Sequence, residues 1–163
     1  METPIIVALI AGGFAVVAPI VTFVITRSYE NRFLQPISSR RAGALVGTWE
    51  GDAHQEFGAD GQPFDAKVTF KFTVTGKKIQ GQGIYRMRDG AQDIITTFIF
   101  SGGFLHERFI RFDYNPEAAD TVQFGSIILE LSNDAKSLKG RYLGYGVRTN
   151  GLVYGTVDLK KVA

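Results

Sequence analysis

Tyrosine and arginine side chains recur from Tyr85 onward in a pattern that suits recognition of a small anionic ligand. An aromatic ring can stack on a nucleobase, and a guanidinium can hold a phosphate through two parallel hydrogen bonds. Exposed arginines are also ordinary on the outside of a β-sheet, so a plain surface role stays open. The candidate ligand contacts are Tyr85, Arg86, Arg108, Arg141, Tyr142, Arg148, Tyr154 and Thr156.

Residues for catalysis or metal binding are sparse. His54 and His106 are the only histidines, cysteine is absent, and no Ser-His-Asp, metal-ligand or glycine-rich phosphate-loop pattern occurs. Glu50 and Asp52 share a strand face with His54 and offer metal ligands, but alternating polar residues on the wet face of a strand explain them without chemistry. We therefore expect no catalytic residues, no metal and no cofactor.

The chain from residue 45 onward has the two-residue hydrophobic period of β-strands. Phe70 and Phe72 alternate with Lys71 and Thr73, which puts one face of that strand in the core and the other in water. No gap is long enough for a crossover helix, so neighbouring strands should pair antiparallel. Turn-forming residues separate eight segments, which we predict near 45–56, 66–75, 78–88, 93–101, 103–114, 120–132, 137–147 and 151–161.

Eight short antiparallel strands either pack as two sheets or close into a barrel, and closure removes the exposed edges that invite aggregation. Glycines inside the predicted strands, such as Gly81, suit the sharp coiling of a small barrel. We therefore predict an all-β fold, an eight-stranded antiparallel up-and-down barrel over residues 45–163. Such an interior is nearly filled by side chains or holds one small ligand. Alternation puts His106 and Arg108 on the face of Ile110, so they enter the barrel or the strand is bulged.

Residues 4–26 contain no charged side chain, and a helix over this run reaches roughly 34 Å, enough to cross a hydrocarbon core of about 30 Å. A cleavable signal peptide would have a basic start and a shorter apolar stretch, and a buried core helix would keep a polar face. We predict one N-terminal transmembrane helix over 4–26, followed by a basic juxtamembrane connector over 27–44. Small residues spaced four apart, such as Ala8 and Gly12, favour a homo-oligomer through this helix.

Positive charges orient such a helix, because Lys and Arg stay on the cytoplasmic side of the membrane. Arg27, Arg32, Arg40 and Arg41 follow the apolar run, whereas Glu2 is the only charged side chain before it. We therefore expect a single-pass protein with its barrel in the cytoplasm and these arginines near anionic headgroups. The formal net charge of +2 is too small to predict binding of a nucleic acid polymer.

The start of the first strand, Leu45-Val46-Gly47-Thr48-Trp49-Glu50-Gly51, resembles the lipocalin and calycin group, whose barrels begin with Gly-x-Trp. The resemblance implies a lipocalin-like barrel in which Trp49 closes one end and the glycine permits close backbone approach. Lipocalins are typically secreted and often carry disulfides, and this chain without cysteine departs from that pattern.

The whole chain also resembles the small membrane effectors of bacterial anti-phage signalling systems (CBASS), which combine an N-terminal membrane helix, a minimal eight-stranded barrel and a cytoplasmic location. The matching stretches are Leu138-Lys139-Gly140-Arg141-Tyr142 and Gly155-Thr156-Val157-Asp158-Leu159-Lys160. The resemblance implies a barrel that binds a cyclic dinucleotide, oligomerises and perturbs the bacterial inner membrane in antiviral defence. Many such effectors have two membrane helices, whereas this sequence predicts one.

Two other functions fit the same sequence. The chain suits a non-catalytic, single-span subunit of a larger membrane complex, with a barrel whose interior is filled. A lipocalin-like carrier of an apolar ligand is the other alternative, and it would be built on Trp49, Phe70, Phe72, Phe98 and Phe100.

The predicted orientation determines the outcome of reporter fusions at Ala163. A fluorescent protein fused there should fluoresce, and a periplasm-dependent phosphatase should be inactive, because four arginines follow the apolar run and none precedes it. An active phosphatase would place the barrel outside the cytoplasm and exclude sensing of a cytoplasmic nucleotide.

Overall fold

The computed structural model describes residues 21–22, 34, 37–57, 63–89, 92–118, 121–146 and 150–162. Within these ranges, Val21 and Thr22 are helical, and the remaining residues form one short helix, eight strands and their connections. The elements are α1 (Ser39–Leu45), β1 (Gly47–Phe57), β2 (Phe64–Thr75), β3 (Lys78–Asp89), β4 (Gln92–His106), β5 (Phe109–Pro116), β6 (Phe124–Leu131), β7 (Ser137–Gly146) and β8 (Gly151–Lys161).

The strands form a closed barrel. Each strand pairs antiparallel with the next one along the chain, and β8 pairs with β1 to complete the circle. The alternation predicted for β2 holds, since Phe70 and Phe72 are buried while Lys71 and Thr73 are exposed. The predicted eight-stranded antiparallel up-and-down barrel is therefore confirmed.

The predicted break between the fourth and fifth strands is wrong. Ser101-Gly102-Gly103 lies inside β4, and the turn falls at Glu107 and Arg108 instead. The cause is close packing between strands, because a Cβ added at Gly102 would lie 2.0 Å from the carbonyl oxygen of Arg111. Glycine at this position lets two strands approach each other and does not mark a turn.

A bulge decides where the polar residues of this hairpin point. The register between β4 and β5 shifts between Phe104 and His106. Phe104 and Ile110 are fully buried, whereas His106 is exposed at the end of β4 and Arg108 lies in the turn. Of the two arrangements that the sequence left open for His106 and Arg108, the bulged strand is the correct one.

Large apolar side chains and α1 close one end of the barrel. Trp49 is fully buried, and its Nε1 donates a 2.8 Å hydrogen bond to the carbonyl oxygen of Leu45 at the end of α1. Trp49 thus lies at a closed end, as the Gly-x-Trp pattern implied. The other side chains of this layer are at most 1% exposed: Phe72, Ile79, Phe104, Ile110, Leu131, Leu138 and Leu159.

Polar contacts hold α1 in place. The Ser38 hydroxyl accepts a 3.4 Å hydrogen bond from the backbone N–H of Arg41 and caps the helix. Arg41 Nη1 donates a 2.8 Å hydrogen bond to the carbonyl oxygen of Glu107 in the β4–β5 turn. One of the four arginines that follow the apolar run therefore attaches α1 to the barrel.

The predicted transmembrane helix over 4–26 lies outside the described residues, apart from Val21 and Thr22. No helix among the described residues has the length and apolar character needed to cross a membrane. Contacts divide the chain into the units Met1–Leu34 and Gln35–Ala163, and the barrel belongs to the second.

Two glycine substitutions should change stability in opposite directions. Gly102→Ala should lower the free energy of unfolding by about 2–3 kcal/mol, because the new methyl group meets the backbone of β5. Gly43→Ala should raise it by about 0.5–1 kcal/mol, because Gly43 lies inside α1 with nothing within 4 Å. Urea unfolding followed by the fluorescence of the single tryptophan measures both effects. A neutral result at Gly102 would contradict the close approach of β4 and β5.

Candidate ligand-binding cavity

A cavity of about 260 Å³ lies inside the barrel, in the half that is remote from α1. Its walls include the end of β1 at Ala53 and Gln55 and the beginning of β8 at Val153. The β1–β2, β3–β4, β5–β6 and β7–β8 connections meet at this end, and each contains residues outside the described ranges.

Aromatic rings separate the cavity from the closed half of the barrel. Phe70 and Phe98 line the cavity and pack edge to face, with ring centroids 5.5 Å apart. On its other sides Phe70 contacts Phe72, Phe100 and Phe112 at centroid separations of 5.7 to 5.8 Å. This cluster fills the middle of the barrel, so the unfilled space is confined to one half.

The cavity walls are mainly apolar, and none of the described residues that line them carries a charge. Besides Phe70 and Phe98, the apolar contributors are Ala53, Phe64, Val68, Met87, Ile94, Ile127, Val153 and Val157. The polar contributors are Gln55, Tyr85, Thr96, Tyr114, Gln123, Tyr142 and Tyr145.

Two of the tyrosines have strongly perturbed acidities. Burial raises the pKa of Tyr114 to about 12. Burial also raises the pKa of the Tyr142 phenol well above its usual value, with smaller contributions from Tyr85, Tyr114 and Glu56. Both hydroxyls therefore stay protonated even at the pH at which an exposed tyrosine ionises, and they can donate hydrogen bonds.

Three buried polar atoms beside the cavity find no hydrogen-bond partner among the described residues. They are Gln55 Nε2, Gln123 Oε1 and the Tyr142 hydroxyl oxygen. Gln55 is only 4% exposed. Leaving such a group buried and unpaired costs roughly 1–3 kcal/mol, so each of the three gains from a polar partner inside the cavity.

The structure brings two of the predicted ligand contacts, Tyr85 and Tyr142, to the cavity. Their sequence neighbours Arg86 and Arg141 are exposed on the outer face of the same strands. Consecutive residues of a strand point to opposite faces, so Tyr85 and Arg86 cannot share one site, and the same holds for Tyr142 and Arg141.

Three other predicted contacts, Arg108, Tyr154 and Thr156, also lie away from the cavity. Arg108 is at the closed end, where its Nε is 3.0 Å from Glu130 Oε1. Tyr154 and Thr156 lie on the outer face of β8, where Thr156 is opposite Arg141 in the β7–β8 register. Arg148 lies outside the described residues.

The possible metal ligands Glu50, Asp52 and His54 lie on the outer face of β1, and two of them, Asp52 and His54, have protein partners. His54 Nδ1 is 2.7 Å from Asp65 Oδ1 on β2. Asp52 forms an ion pair with Lys67, also on β2. These cross-strand contacts account for the alternating polar residues of β1 as features of the wet face.

Gln55, Tyr114 and Gln123 are three of the polar cavity residues that were not among the candidates from the sequence. For two of them a signal was present. Tyr114 continues the inward alternation of Ile110 and Phe112, and Gln55 continues that of Trp49 and Ala53. Gln123 precedes β6 and is not marked by alternation, so only the folded chain places it at the cavity.

The fold and the cavity together define a closed antiparallel β-barrel with an apolar interior site. No model of a known protein family matches the chain, and no curated protein matches it either. Among solved structures, the chain is similar to a crystal structure of a protein of unknown function from the DUF3598 family of Nostoc punctiforme, with 12% identity and a TM-score of 0.44. The match covers 78% of this chain and 51% of that one, so this chain spans about half the length of that protein.

Tyr114→Phe should reduce the loss of stability at alkaline pH. The unfolded chain releases the phenol proton near pH 10, whereas the folded barrel retains it to about pH 12. The contribution of Tyr114 is therefore fully present below pH 10 and is lost as the pH rises toward 12, with an upper limit of about 2.7 kcal/mol. Urea unfolding across this pH range measures the slope of stability against pH.

Phe98→Leu is the matched control, because it removes cavity-wall area without removing a titratable group. It should lower stability equally at every pH and keep the wild-type slope. An unchanged slope in Tyr114→Phe would contradict the burial of this phenol.

Proposed function

We propose that this chain is a membrane-tethered β-barrel that binds a small, uncharged and mainly apolar molecule in its interior. The observation that carries the proposal is the cavity of about 260 Å³, whose described lining has no charged side chain. Small-molecule sites are typically concave and mainly apolar, with a few polar groups that orient the ligand. The proposal corresponds to the carrier-like alternative among the functions that fit the sequence.

The volume of the cavity limits the size of the ligand. An apolar cavity of about 150 Å³ takes up benzene. The cavity of about 260 Å³ in this barrel therefore suits a molecule of about two fused rings. Burial of such a ligand gains about 25 cal/mol for each Å² of apolar surface removed from water.

The membrane tether in this proposal is supported by the uncharged run over 4–26 and by the basic residues that follow it. These features favour a single-pass protein of a bacterial inner membrane with its barrel in the cytoplasm. In this proposal the chain also self-associates through the small residues of the predicted helix.

A cyclic dinucleotide bound outside the cavity is the second candidate. Arg141 and Thr156 are register partners on the outer face, and Tyr154 lies two residues before Thr156 on the same face. A guanidinium and an exposed aromatic ring suit a phosphate and a base.

Membrane perturbation in antiviral defence is supported by the family resemblance alone and remains a prediction. The filled interior expected of a structural subunit is less compatible with the cavity.

Filling the cavity should abolish binding of a neutral ligand. For the full-length chain in mild detergent, naphthalene at about 100 times its dissociation constant should add about 2.7 kcal/mol to the free energy of unfolding. Val153→Phe should remove this effect, because Val153 is buried in the cavity wall. The matched control is Leu152→Phe, which adds a ring at a neighbouring position that is 65% exposed and should bind like the wild type.

Measurements of the free energy of unfolding with and without each ligand also test the second candidate. If naphthalene stabilises wild type and Val153→Phe equally, the effect comes from the detergent or the surface, and the interior site is wrong. If cyclic dinucleotides alone stabilise the protein and Arg141→Ala abolishes their effect, the outer-face site replaces the cavity.

A further inference from the structure

Two polar side chains face each other across a glycine on the inner wall of the cavity. Gln55 of β1 is paired with Gly155 of β8, and Gly155 is paired on its other side with Tyr142 of β7. Strands lie about 4.8 Å apart, so the Cα atoms of Gln55 and Tyr142 are about 10 Å apart along this row. Gly155 contributes no side chain between them.

A side chain at position 155 would not fit. A Cβ added to Gly155 would lie 2.1 Å from the carbonyl oxygen of His54, because the strands approach closely here. The inner wall therefore has a gap between Gln55 and Tyr142, and both residues line the cavity. A flat molecule placed over Gly155 would have a polar side chain on either side.

The unpaired atoms of this site differ in their hydrogen-bonding character. Gln55 Nε2 is a donor, Gln123 Oε1 is an acceptor, and the Tyr142 hydroxyl can act as either. None of the three has a partner among the described residues. A hydrocarbon would remove them from water and leave them unpaired, whereas a ligand with both an acceptor and a donor would satisfy them.

Charge selects against the ionised alternatives. None of the described lining residues is a cation that could pair with a carboxylate or a phosphate, and none is an anion that could pair with an amine. Tyr114 and Tyr142 add no charge, because both are neutral phenols and burial raises the pKa of each. A charged ligand would therefore lose its hydration without compensation from the described lining.

We propose that the cavity selects neutral, planar, two-ring ligands that carry an amide-like pair of groups, a hydrogen-bond acceptor beside a donor, as in a lactam. In this arrangement Gln55 donates to the ligand carbonyl, and the Tyr142 hydroxyl or Gln123 accepts from the ligand N–H. The inference rests on the proposed function of the cavity and specifies the chemical class of its ligand.

Three probes with the same two-ring frame test this selection: naphthalene, quinolin-2(1H)-one and 2-naphthoate. They supply no polar group, a neutral lactam and a charged carboxylate, respectively. Isothermal titration of the full-length chain in mild detergent should give quinolin-2(1H)-one an affinity at least about tenfold higher than naphthalene. It should give no detectable binding of 2-naphthoate. Val153→Phe, titrated in the same detergent, provides the correction for partitioning into micelles.

Gln55→Leu should abolish the preference for the lactam and leave naphthalene binding unchanged or stronger. Leucine keeps most of the side-chain volume and removes the unpaired amide, so this variant should unfold no more easily than the wild type. Gln123→Leu should reduce the preference in the same direction and serves as a second, independent variant. The matched control is Gln80→Leu, which alters an exposed glutamine on β3 and should keep the wild-type preference.

Each outcome separates the ligand class from the function of the cavity. Equal affinities for naphthalene and the lactam, unchanged in Gln55→Leu, would mean that water satisfies the amides and would overturn the selection while the interior site stands. Tightest binding of 2-naphthoate would overturn the neutrality of the site. Failure of every probe to bind wild type more tightly than Val153→Phe would overturn the interior site itself.

Discussion

Closure of the sheet by the pairing of β1 with β8 is the constraint on which the rest of this structure depends. A small closed barrel must coil strongly, and every second side chain along each strand enters one shared interior. Neighbouring strands can then approach closely only where glycine is present, as at Gly102 and Gly155. The interior is consequently shaped by the sizes of the inward residues at each level of the barrel.

The inward residues divide the barrel into a filled half and a hollow half. Near α1, side chains such as Trp49, Phe72 and Phe104 occupy the whole cross-section. Beyond the ring of Phe70, smaller inward residues such as Ala53 leave the cavity. The hydrogen bond from Trp49 to Leu45 joins α1 to the filled end, so the packed core and the cavity lie in different parts of one fold.

The chemistry of the cavity follows from the same burial. Low polarity raises the pKa of Tyr114, and it makes unpaired atoms of Gln55 and Gln123 costly. A preformed hydrophobic site with a few unpaired polar groups can discriminate by hydrogen bonding as well as by size, because an ill-matched ligand leaves those groups unpaired. The charged groups of the described barrel, including Arg86 and Arg141, lie on its outer surface and do not line the cavity.

The antiparallel strands and most of the hairpins were predictable from the sequence, because the two-residue period and the turn residues are local signals that a strand and a hairpin require. Closure into a barrel was predicted from the cost of exposed strand edges. The hairpin predicted at Gly102 is wrong, because this glycine is needed for close packing against the backbone of β5, and that contact exists only in the folded chain. Alternation also separates Arg141 from Tyr142, although it does not say which of the two faces inward until the register is fixed. The cavity could not be predicted from the sequence, because it forms only in the tertiary structure. Its volume is the part of the barrel interior that the inward side chains of all eight strands leave unfilled. The row of Gln55, Gly155 and Tyr142 joins residues of three strands that are separated in the chain.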